Sequence, residues 1–462
     1  MTIEEMELNR HGSVPIYKQI ADQIGARIDN GTLLSNSKLP THRWLADRLE
    51  VTVGTITRAY AELERRGHIE ARVGAGTFVV DHNKPSWAFE QDPSDELECH
   101  LGYNIPPRFD RSDMLQSAMQ RIATSPQHLN QIMLYQSPTG IESHKGVVCN
   151  WMRAQQIHLN PQSMLFSSGA QHAIQLILDT FSRAGDTILV EQYTYPGIIN
   201  VAKQNQLTLK GVEMDKYGVL PESLELCCKR YSPRLIYLIP TLQNPTTAVM
   251  PIQRRREILD ICKRYDVYVI EDDINSLLLD NAPEPMVNLA PESVLYIGAF
   301  SKFLAPGLRV GFIHAPERLY PQLTSTLQNH CWMVSPLLTS LTCEMLSKGD
   351  ADKSLQIIKQ EMNARIEIAV QKLKGFEFTV QQGGFHLWLT LPQHWRLSDF
   401  IAQATMNKIN VKSSELFALP GNAVTPAIRL SLSSPQSIEQ MRRGLDTLVT
   451  LLNHTPTGEF TL

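Results

Sequence analysis

Three residues that follow an apolar run offer the chemistry of a site for a phosphorylated aldehyde. The run at 294–298 is predicted to be a buried strand, and Ser301, Lys302 and Arg309 come just after it. A lysine among aromatic and aliphatic neighbours has its charged form disfavoured by desolvation, so the neutral amine that forms a Schiff base becomes accessible. The Ser301 hydroxyl and the planar donor fork of Arg309 suit a phosphate. A basic surface loop is the simpler interpretation of Ser301 and Lys302 taken alone.

Short apolar runs alternate with stretches of helical length over more than two hundred residues after Cys99. This alternation predicts βα units, a mainly parallel sheet, and ligand binding at the C-terminal ends of the strands. The predicted strands are 164–167, 187–191, 207–212, 235–239, 267–271, 294–298 and 309–314.

A run of small residues lies between the first of these strands and a helix predicted over 171–181. In this run, Ser167-Ser168-Gly169-Ala170-Gln171, the N–H groups of Ala170 and Gln171 can bind a phosphate at the helix N-terminus. A turn of small residues between a strand and a helix is usually only a turn, so the pattern is weak by itself.

The segment Ser301-Lys-x-Leu-x-Pro-Gly-x-Arg309-x-Gly resembles the lysine segment of fold-type I aminotransferases. The resemblance implies pyridoxal 5′-phosphate (PLP) as cofactor. It makes Lys302 the catalytic lysine, held with the cofactor in an internal aldimine. The phosphate site that the resemblance implies consists of Ser301, Arg309, Gly169, Ala170 and Gln171.

Three further segments match the same family in the same order. The resemblance implies that Tyr195 stacks on the pyridine ring, with Tyr193 as a competing choice. It implies that the Asn244 amide, in an Asn-Pro turn, donates to the phenolic oxygen of the cofactor. It also implies that a carboxylate after the strand 267–271 pairs with the pyridine nitrogen, and motif position favours Asp272 over Asp273.

Two further positions bear on activity and on ligand recognition. The family typically has a tyrosine that bonds the phenolic oxygen where this chain has Ile274, which cannot donate a hydrogen bond. We therefore expect cofactor binding to survive this change better than fast transamination. Arg429 matches the arginine that forks onto the α-carboxylate of an amino acid, and a solvated strand arginine is the alternative interpretation.

The N-terminal eighty residues carry three helix signals and then a glycine-punctuated hairpin. Apolar spacing predicts a helix over 14–28, a second with Thr41 as N-cap and Trp44 facing inward, and a third capped by Thr52 or Thr55. Helix, turn and helix can place a recognition helix in the DNA major groove, and the alternation over 68–80 predicts a β-wing. A small structural scaffold is the other interpretation, because residues 41–72 hold six Lys/Arg against five Asp/Glu.

The motifs Leu39-Pro-x-x-Arg43, Thr52-x-x-Thr55-Ile-x-Arg58 and Gly74-x-Gly-Thr-Phe-Val resemble the winged helix of GntR-type transcription factors. Many members of that family have arginine where this chain has Val53, which implies a different preference for DNA sites. The resemblance implies that the residues facing DNA are Arg43, Thr52, Thr55, Arg58, Gly74 and Gly76.

A GntR-type winged helix joined to an aminotransferase-like body resembles the MocR-type regulators. We therefore expect a multidomain chain, with a winged helix-turn-helix at 12–80, a linker at 81–98 and an α/β fold-type I PLP-dependent transferase at 99–462. Within the transferase we expect a large, mainly parallel-sheet domain over about 99–328 and a smaller C-terminal α+β domain over about 329–462. The resemblance also implies a head-to-tail homodimer with double-stranded DNA as a partner. Tyr135 then holds the position from which one subunit reaches the cofactor phosphate of the other.

Composition sets broad limits on location and partners. The net charge of −4 neither demands nor excludes nucleic acid, and no apolar run approaches the length of a membrane helix. Seven cysteines without metal-type spacing favour a reducing cytoplasm, and the histidines show no metal-ligand spacing, so we expect no metal. The first residues lack the pattern of a secretory signal, so none is expected.

Two functions remain open from the sequence. The first is a PLP-dependent DNA-binding transcriptional regulator that senses an amine, an amino acid or PLP itself at Lys302. The second is a working PLP-dependent aminotransferase that carries a winged helix as a secondary attachment. Ile274 weakens the second, and the intact GntR pattern favours the first.

Overall fold

The computed structural model divides the chain into two compact units, Met1–Glu90 and Gln91–Leu462. Among the described residues, no helix combines the length and the apolar character that a lipid bilayer requires. Gly74 and the linker expected at 81–98 lie outside the described part of the chain. The described residues are 6, 8–10, 14–34, 37–72, 76–80 and 99–454.

The first unit contains three helices followed by an antiparallel hairpin, as the sequence predicts. The Thr52 hydroxyl accepts the N–H of Thr55 at 3.2 Å, so Thr52 rather than Thr55 caps the third helix. The hydroxyl of Thr41 accepts the N–H of Trp44 at 3.4 Å and caps the second. The elements are α1 (Ile16–Asp29), α2 (His42–Arg48), α3 (Val53–Arg65), β1 (Ile69–Arg72) and β2 (Gly76–Val79).

The inward orientation expected for Trp44 is wrong. Leu45 and Ala46 of α2 and Leu49 just beyond it are buried, whereas Trp44 is 45% exposed. Leu45 and Leu49 are one helical turn apart and Ala46 adjoins them, so these three form the buried face. Trp44 is on the opposite side of this short helix, which leaves its ring in solvent.

The second unit begins with a short strand and three α-helices, which are followed by a βα series. Its elements up to residue 331 are β3 (Cys99–His100), α4 (Ser112–Ala123), α5 (Pro126–Ile132), α6 (Glu142–Ala154), β4 (Met164–Ser167), α7 (Ala170–Phe181), β5 (Thr187–Glu191), α8 (Pro196–Gln204), β6 (Thr208–Val212), β7 (Met214–Asp215), β8 (Gly218–Val219), α9 (Pro221–Tyr231), β9 (Leu235–Leu238), α10 (Ile252–Arg264), β10 (Tyr268–Asp272), α11 (Met286–Leu289), β11 (Val294–Ala299), β12 (Gly311–His314) and α12 (Tyr320–Cys331).

The rest of the second unit combines long helices with short antiparallel strands. Its elements are α13 (Pro336–Ser347), α14 (Asp350–Lys372), β13 (Phe378–Val380), β14 (His386–Thr390), α15 (Leu397–Met406), β15 (Ile409–Asn410), β16 (Lys412–Ser413), β17 (Ala427–Ser431) and α16 (Ile438–Asn453).

Seven strands form the main sheet in the order β4-β12-β11-β10-β9-β5-β6. The strands β6, β5, β9, β10 and β11 pair in parallel, whereas β12 is antiparallel to both of its neighbours. The seven predicted strands coincide with these seven to within two residues at each end. The expected mainly parallel sheet is therefore confirmed.

Helices cover both faces of this sheet, because successive strand residues point to opposite sides. Ile188 and Ile270 pack in a core with residues of α7, α8 and α12. Leu189 and Val269, each one position away, belong to a second core with residues of α6, α10 and α14. Burial on both sides explains the continuous apolar runs in the sequence.

A second, antiparallel sheet has the strand order β13-β14-β17-β16. Its strand β17 carries Arg429, which lies opposite Trp388 of β14 and Lys412 of β16. This sheet brings Arg429 to residues that follow the strands of the main sheet.

Candidate functional site

The C-terminal ends of five strands of the main sheet gather the predicted site residues. Gly169 follows β4, Tyr195 follows β5, and Asn244 follows β9. Asp272 is the last residue of β10, and Lys302 follows β11. Strands that run in one direction end at one edge of a sheet, which is where α/β proteins bind ligands.

Lys302 lies partly buried in the turn after β11. Its Nζ donates a hydrogen bond to the backbone carbonyl of Asn104 and lies 5.9 Å from the ring centre of Phe385. Burial, followed by the positive charge of Arg429, lowers the pKa of Lys302 to about 8, although Asp272 opposes this shift. About a tenth of the amine is therefore neutral at pH 7, and the neutral form is the one that attacks an aldehyde.

The two aspartates at the end of β10 face opposite sides of the sheet. Asp272 accepts a hydrogen bond from the Tyr237 hydroxyl at 2.6 Å, and burial raises the pKa of Asp272 to about 6. Asp273 accepts hydrogen bonds from Ser276 at 2.7 Å and from Tyr296 at 2.9 Å. Asp272 is on the side where the charge of Lys302 acts on it, so the geometry favours Asp272 as the carboxylate of the site.

Arg429 links the second sheet to the main one. Its Nη1 donates to Oδ1 of Asn244 at 2.8 Å, and its Nη2 donates to the carbonyl of Gly102 at 2.7 Å. The guanidinium lies 4.9 Å from the ring centre of Phe417, and burial lowers the pKa of Arg429 to about 10. Because Arg429 takes the amide oxygen of Asn244, the NH₂ group of Asn244 points away from Arg429 and remains a donor.

The two tyrosines after β5 have different surroundings. Tyr193 is buried in a small apolar cluster with Trp388 and Phe417. Its hydroxyl accepts the N–H of Thr425 at 2.8 Å. Tyr195 precedes α8, and burial, followed by the charge of Asp272, raises the pKa of its phenol to about 12. Tyr193 thus has a packing role in the described structure, whereas Tyr195 is close enough to Asp272 for the charge of Asp272 to act on its phenol.

The backbone at the start of α7, from Ser168 to Gln171, forms a narrow turn that we call the phosphate cradle. Gly169 has φ 90° and precedes Ala170 and Gln171, the first two residues of that helix. The positive φ favours glycine here, and a Cβ on Gly169 would lie 2.8 Å from Nη2 of Arg309 and displace this guanidinium. The same Nη2 donates to the carbonyl of Ser168 at 3.0 Å. Ser301 is partly buried one residue before Lys302.

Two predicted positions lie at the margin of this cluster. Tyr135 is 82% exposed and meets Trp332 edge to face, with ring centres 5.8 Å apart. Within one chain the structure therefore does not bring Tyr135 into the cluster of Lys302. Ile274 is partly buried two residues after Asp272 and packs against the core that contains Ile270.

The predicted DNA-facing side chains that the structure describes in the first unit are exposed or partly exposed. Arg43 on α2, Thr52 at the cap of α3 and Arg58 on α3 are exposed, and Thr55 is partly exposed. The Thr52 and Thr55 hydroxyls are 2.9 Å apart. Gly76 begins β2 with φ 112°.

The residues of the cluster fit PLP as ligand. The buried polar atoms without a hydrogen-bond partner among the described residues include Oδ1 of Asn104, Oε1 of Gln171 and Nε of Arg429. A Cβ on Gly197 would lie 2.1 Å from the ring of Tyr195 and 2.2 Å from Oε1 of Gln171, so a side chain there would displace both. A lysine of lowered pKa suits the aldehyde of PLP, and a buried carboxylate suits its pyridine nitrogen. The N-terminus of α7 suits its phosphate.

Sequence reasoning missed three partners in this cluster. Tyr237 could have been suspected, because it is a hydroxyl-bearing residue in an otherwise aliphatic strand. The carbonyls of Gly102 and Asn104 give no signal in the sequence, because every residue has a carbonyl.

Comparison with known proteins agrees with this fold and site. Residues 99–448 match the family described as aminotransferase class I and II. A kynurenine aminotransferase from Pyrococcus horikoshii superposes with a TM-score of 0.72 at 21% identity, covering 78% of this chain and 91% of that one. The second unit therefore has the fold of that aminotransferase family, whose cofactor is PLP.

The N-terminal unit matches a different family, and full-length relatives contain both parts. Residues 16–79 match bacterial regulatory proteins of the gntR family. The HTH-type transcriptional regulator YdeF of Bacillus subtilis (strain 168) is 30% identical over 440 residues, 95% of each chain. The probable rhizopine catabolism regulatory protein MocR of Rhizobium meliloti is 26% identical over 372 residues, 74% of each chain. The chain belongs to the family of transcriptional regulators with MocR-type architecture.

Proposed function

We propose that this protein is a PLP-dependent, DNA-binding transcriptional regulator that senses an amine, an amino acid or PLP itself at Lys302. The observation that carries this proposal is that one chain holds both an exposed helix-turn-helix surface and the cluster of Lys302, Asp272, Asn244 and Arg429. The proposed domains are 12–80, 81–98 and 99–462, in a cytoplasmic protein.

The cluster supplies a contact for each part of the cofactor, which would provide a reactive aldehyde and an electron-withdrawing ring. The amine of Lys302 is the nucleophile. Asp272 would hold a proton on the pyridine nitrogen, and the Asn244 amide would donate to the phenolic oxygen. The Tyr195 ring would stack on the pyridine. The phosphate would bind to the side chains of Ser301 and Arg309 and to the N–H groups of Gly169, Ala170 and Gln171.

Arg429 would recognise the carboxylate of an amino acid effector. Its Nε has no hydrogen-bond partner among the described residues, and its Nη2 is bound only to a backbone carbonyl, that of Gly102. These two donors lie on one edge of the guanidinium and form a fork for a carboxylate. An effector whose amine competes with Lys302 and whose carboxylate binds Arg429 contacts both sheets, so it favours one arrangement of them.

The first unit would bind double-stranded DNA through the N-terminal part of α3. Arg43 and Arg58 would contact phosphates or base edges, and Thr52 and Thr55 would lie at the start of the recognition helix. Gly76 would approach the duplex at the wing.

We expect the protein to act as a head-to-tail homodimer. Tyr135 is 82% exposed beside the exposed side chains of Leu134, Met133 and Trp332, a combination typical of a surface that a partner covers. From that position Tyr135 would reach the cofactor phosphate of the other subunit. Leu134→Asp should therefore yield monomers in sedimentation, whereas Tyr135→Phe should leave the dimer intact and weaken PLP binding.

The test of the main proposal is covalent trapping together with DNA binding. Borohydride should fix PLP to the protein, and peptide mass spectrometry should locate the adduct at Lys302. Lys302→Ala should lose the adduct and keep its fold. A duplex selected from a random pool should bind the wild type, with an affinity that changes when PLP or an effector is added. An adduct that persists in Lys302→Ala would refute the assignment of this lysine.

Effector binding has its own test. A panel of amines and amino acids is titrated into the PLP-loaded protein while the visible spectrum is followed, with Arg429→Lys as the matched variant. Arg429→Lys keeps the charge but loses the planar fork, so amino acids should lose affinity while amines without a carboxylate should not. Equal responses of the two compound classes would remove Arg429 from the effector site, and no response to any amine would leave PLP as the effector.

A working aminotransferase is the second candidate, because the lowered pKa of Lys302 beside Asp272 and Arg429 also suits proton transfer. Turnover with amino acids and 2-oxoglutarate distinguishes the two. Steady turnover at enzyme-like rates would establish the aminotransferase, whereas a single half-reaction or none would support the regulator.

A further inference from the structure

The peptide groups on both sides of Ser168 are held by side chains. The N–H of Ser168 donates to Nδ1 of His172 at 3.0 Å. Its carbonyl accepts from Nη2 of Arg309 at 3.0 Å. Ser168 immediately precedes Gly169, which caps α7, so these two bonds fix the backbone at the entrance to the helix.

His172 is placed to make this bond by the helix itself. It is the third residue of α7, and a side-chain acceptor at that position can reach back to the N–H groups before the helix, as in a capping box. Its ring also stacks on His330 of α12, with ring centres 5.8 Å apart and planes 25° apart. His330 in turn pairs with Asp179 at 3.0 Å. The stack holds the ring of His172 in the orientation that the bond to Ser168 needs.

The imidazole of His172 acts as an acceptor, because the backbone N–H of Ser168 can only donate. Burial, followed by the charge of His330, lowers the pKa of His172 to about 4, although Asp179 opposes this shift. The ring is therefore neutral near pH 7, and Nδ1 keeps the lone pair that accepts the bond.

We infer that His172 is a positioning residue for phosphate: by accepting the Ser168 N–H it directs the N–H groups of Gly169, Ala170 and Gln171 at the phosphate of the ligand. This inference rests on the proposed PLP site and adds a selectivity to it. Without the acceptor, the Ser168 peptide can rotate and the cradle loses its alignment. The effect should fall on ligands that carry a phosphate and spare those that do not.

The test compares PLP with pyridoxal, which lacks the phosphate, in three proteins. His172→Phe retains a ring that can stack on His330 but has no acceptor. His172→Gln lacks the ring but offers an acceptor oxygen at the third helical position. We expect His172→Phe to weaken PLP binding about tenfold, which corresponds to one hydrogen bond, and to leave pyridoxal binding unchanged. His172→Gln should restore most of the affinity for PLP.

A second measurement does not depend on Lys302. Inorganic phosphate should raise the melting temperature of the cofactor-stripped protein, and this rise should be smaller in His172→Phe and recovered in His172→Gln. If His172→Phe does not fold, His172→Ala replaces it in both measurements.

Unchanged affinity of His172→Phe for PLP, or equal losses for PLP and pyridoxal, would overturn the inference. A merely structural role would weaken both ligands and would not be rescued by glutamine. If the wild type forms no borohydride-trapped adduct at Lys302, the proposed function fails instead, and the melting shifts with phosphate still decide the role of His172.

Discussion

The hydroxyl of Tyr237 donates to Oδ2 of Asp272 at 2.6 Å, and both side chains are buried. Tyr237 lies opposite Ile270 in the parallel pair of β9 and β10, and Asp272 is two residues further along on the same face. This hydrogen bond lowers the pKa of Asp272 against the larger effect of burial, which raises that pKa to about 6. Tyr237 therefore helps Asp272 to remain a carboxylate at neutral pH.

Tyr237→Phe should weaken PLP binding in a pH-dependent way. Loss of the hydrogen bond raises the pKa of Asp272 further, by about one unit for a bond worth about 1.5 kcal/mol, so less carboxylate is present at pH 7. We expect an affinity for PLP about twofold lower at pH 7 and about fivefold lower at pH 6, and the loss should disappear as the pH rises above the new pKa. Titrations of PLP between pH 6 and pH 9 would measure this.

Tyr296→Phe is the matched control, because it removes the 2.9 Å hydrogen bond to Asp273 instead. The pH profile of PLP binding should keep its wild-type position in that variant. An identical displacement in both variants would mean that Asp273, or a general loss of packing, governs the profile.

Arg43→Ala and Arg58→Ala should each weaken DNA binding. If the lost residue contacts a phosphate, DNA binding releases about one counterion fewer. The slope of log affinity against log salt should then fall in magnitude by about one unit. A residue that reads a base should instead relax sequence preference. Fluorescence anisotropy over a range of salt concentrations distinguishes the two cases.

Lys18→Ala on α1 serves as the control, since Lys18 is also exposed and basic but belongs to another helix. Its affinity should stay close to that of the wild type. If Lys18→Ala weakened DNA binding equally, overall charge rather than a defined surface would explain the effect. If the double variant Arg43→Ala, Arg58→Ala bound DNA as well as the wild type, the assignment of these two arginines to the DNA-binding surface would be wrong.

The sequence alone predicts the strands and much of the site, because these depend on local patterns. Strand β11 lies in a sheet that is covered on both faces, so every residue of β11 is buried and its sequence is an uninterrupted apolar run. The polar residue Lys302 just after this run therefore stands out. The caps of α2 and α3 are equally local, since a threonine hydroxyl bonds an N–H three residues later.

Contacts between distant segments cannot be predicted in this way. Arg429 binds the carbonyl of Gly102, which is 327 residues away in the chain, and no side-chain type marks that carbonyl as its partner. Motif position favours Asp272 over Asp273, but only the structure shows that the two side chains face opposite sides of the sheet. Trp44 shows the same limit, since the buried face of a helix as short as α2 is decided by packing against its neighbours.

Ile274→Tyr should increase the rate of amine transfer to the cofactor. A phenol at this position can donate to the phenolic oxygen of PLP, a bond that isoleucine cannot form. We expect single-turnover rates with amino acids to rise about tenfold, in line with one added hydrogen bond near the reacting group. Ile274→Phe adds a ring without the hydroxyl, so it should remain at the wild-type rate. Equal gains in both variants would show that ring size, not hydrogen bonding, limits the reaction.

Glu191→Gln should remove a pH-dependent loss of stability. Glu191 ends β5 fully buried, and its Oε2 accepts from the side chain of Gln243 at 2.9 Å and from the N–H of Ile239 at 3.3 Å. Burial raises the pKa of Glu191 from 4.5 to about 8, whereas these hydrogen bonds act to lower it. The unfolded chain ionises this group at a lower pH than the folded protein does.

The sign of the effect follows from that difference. The contribution of Glu191 to the free energy of unfolding is complete below pH 4.5 and is lost as the pH rises to about 8, by at most about 1.4 kcal/mol per pH unit. Glutamine is neutral throughout and can still accept both hydrogen bonds. Urea unfolding should therefore give similar stabilities for wild type and variant at pH 5 and a more stable variant at pH 8. Glu317→Gln, at an exposed position, is the control and should show the same pH dependence of stability as the wild type. If Glu191→Gln also showed the wild-type pH dependence, Glu191 would be ionised in the folded protein across this range.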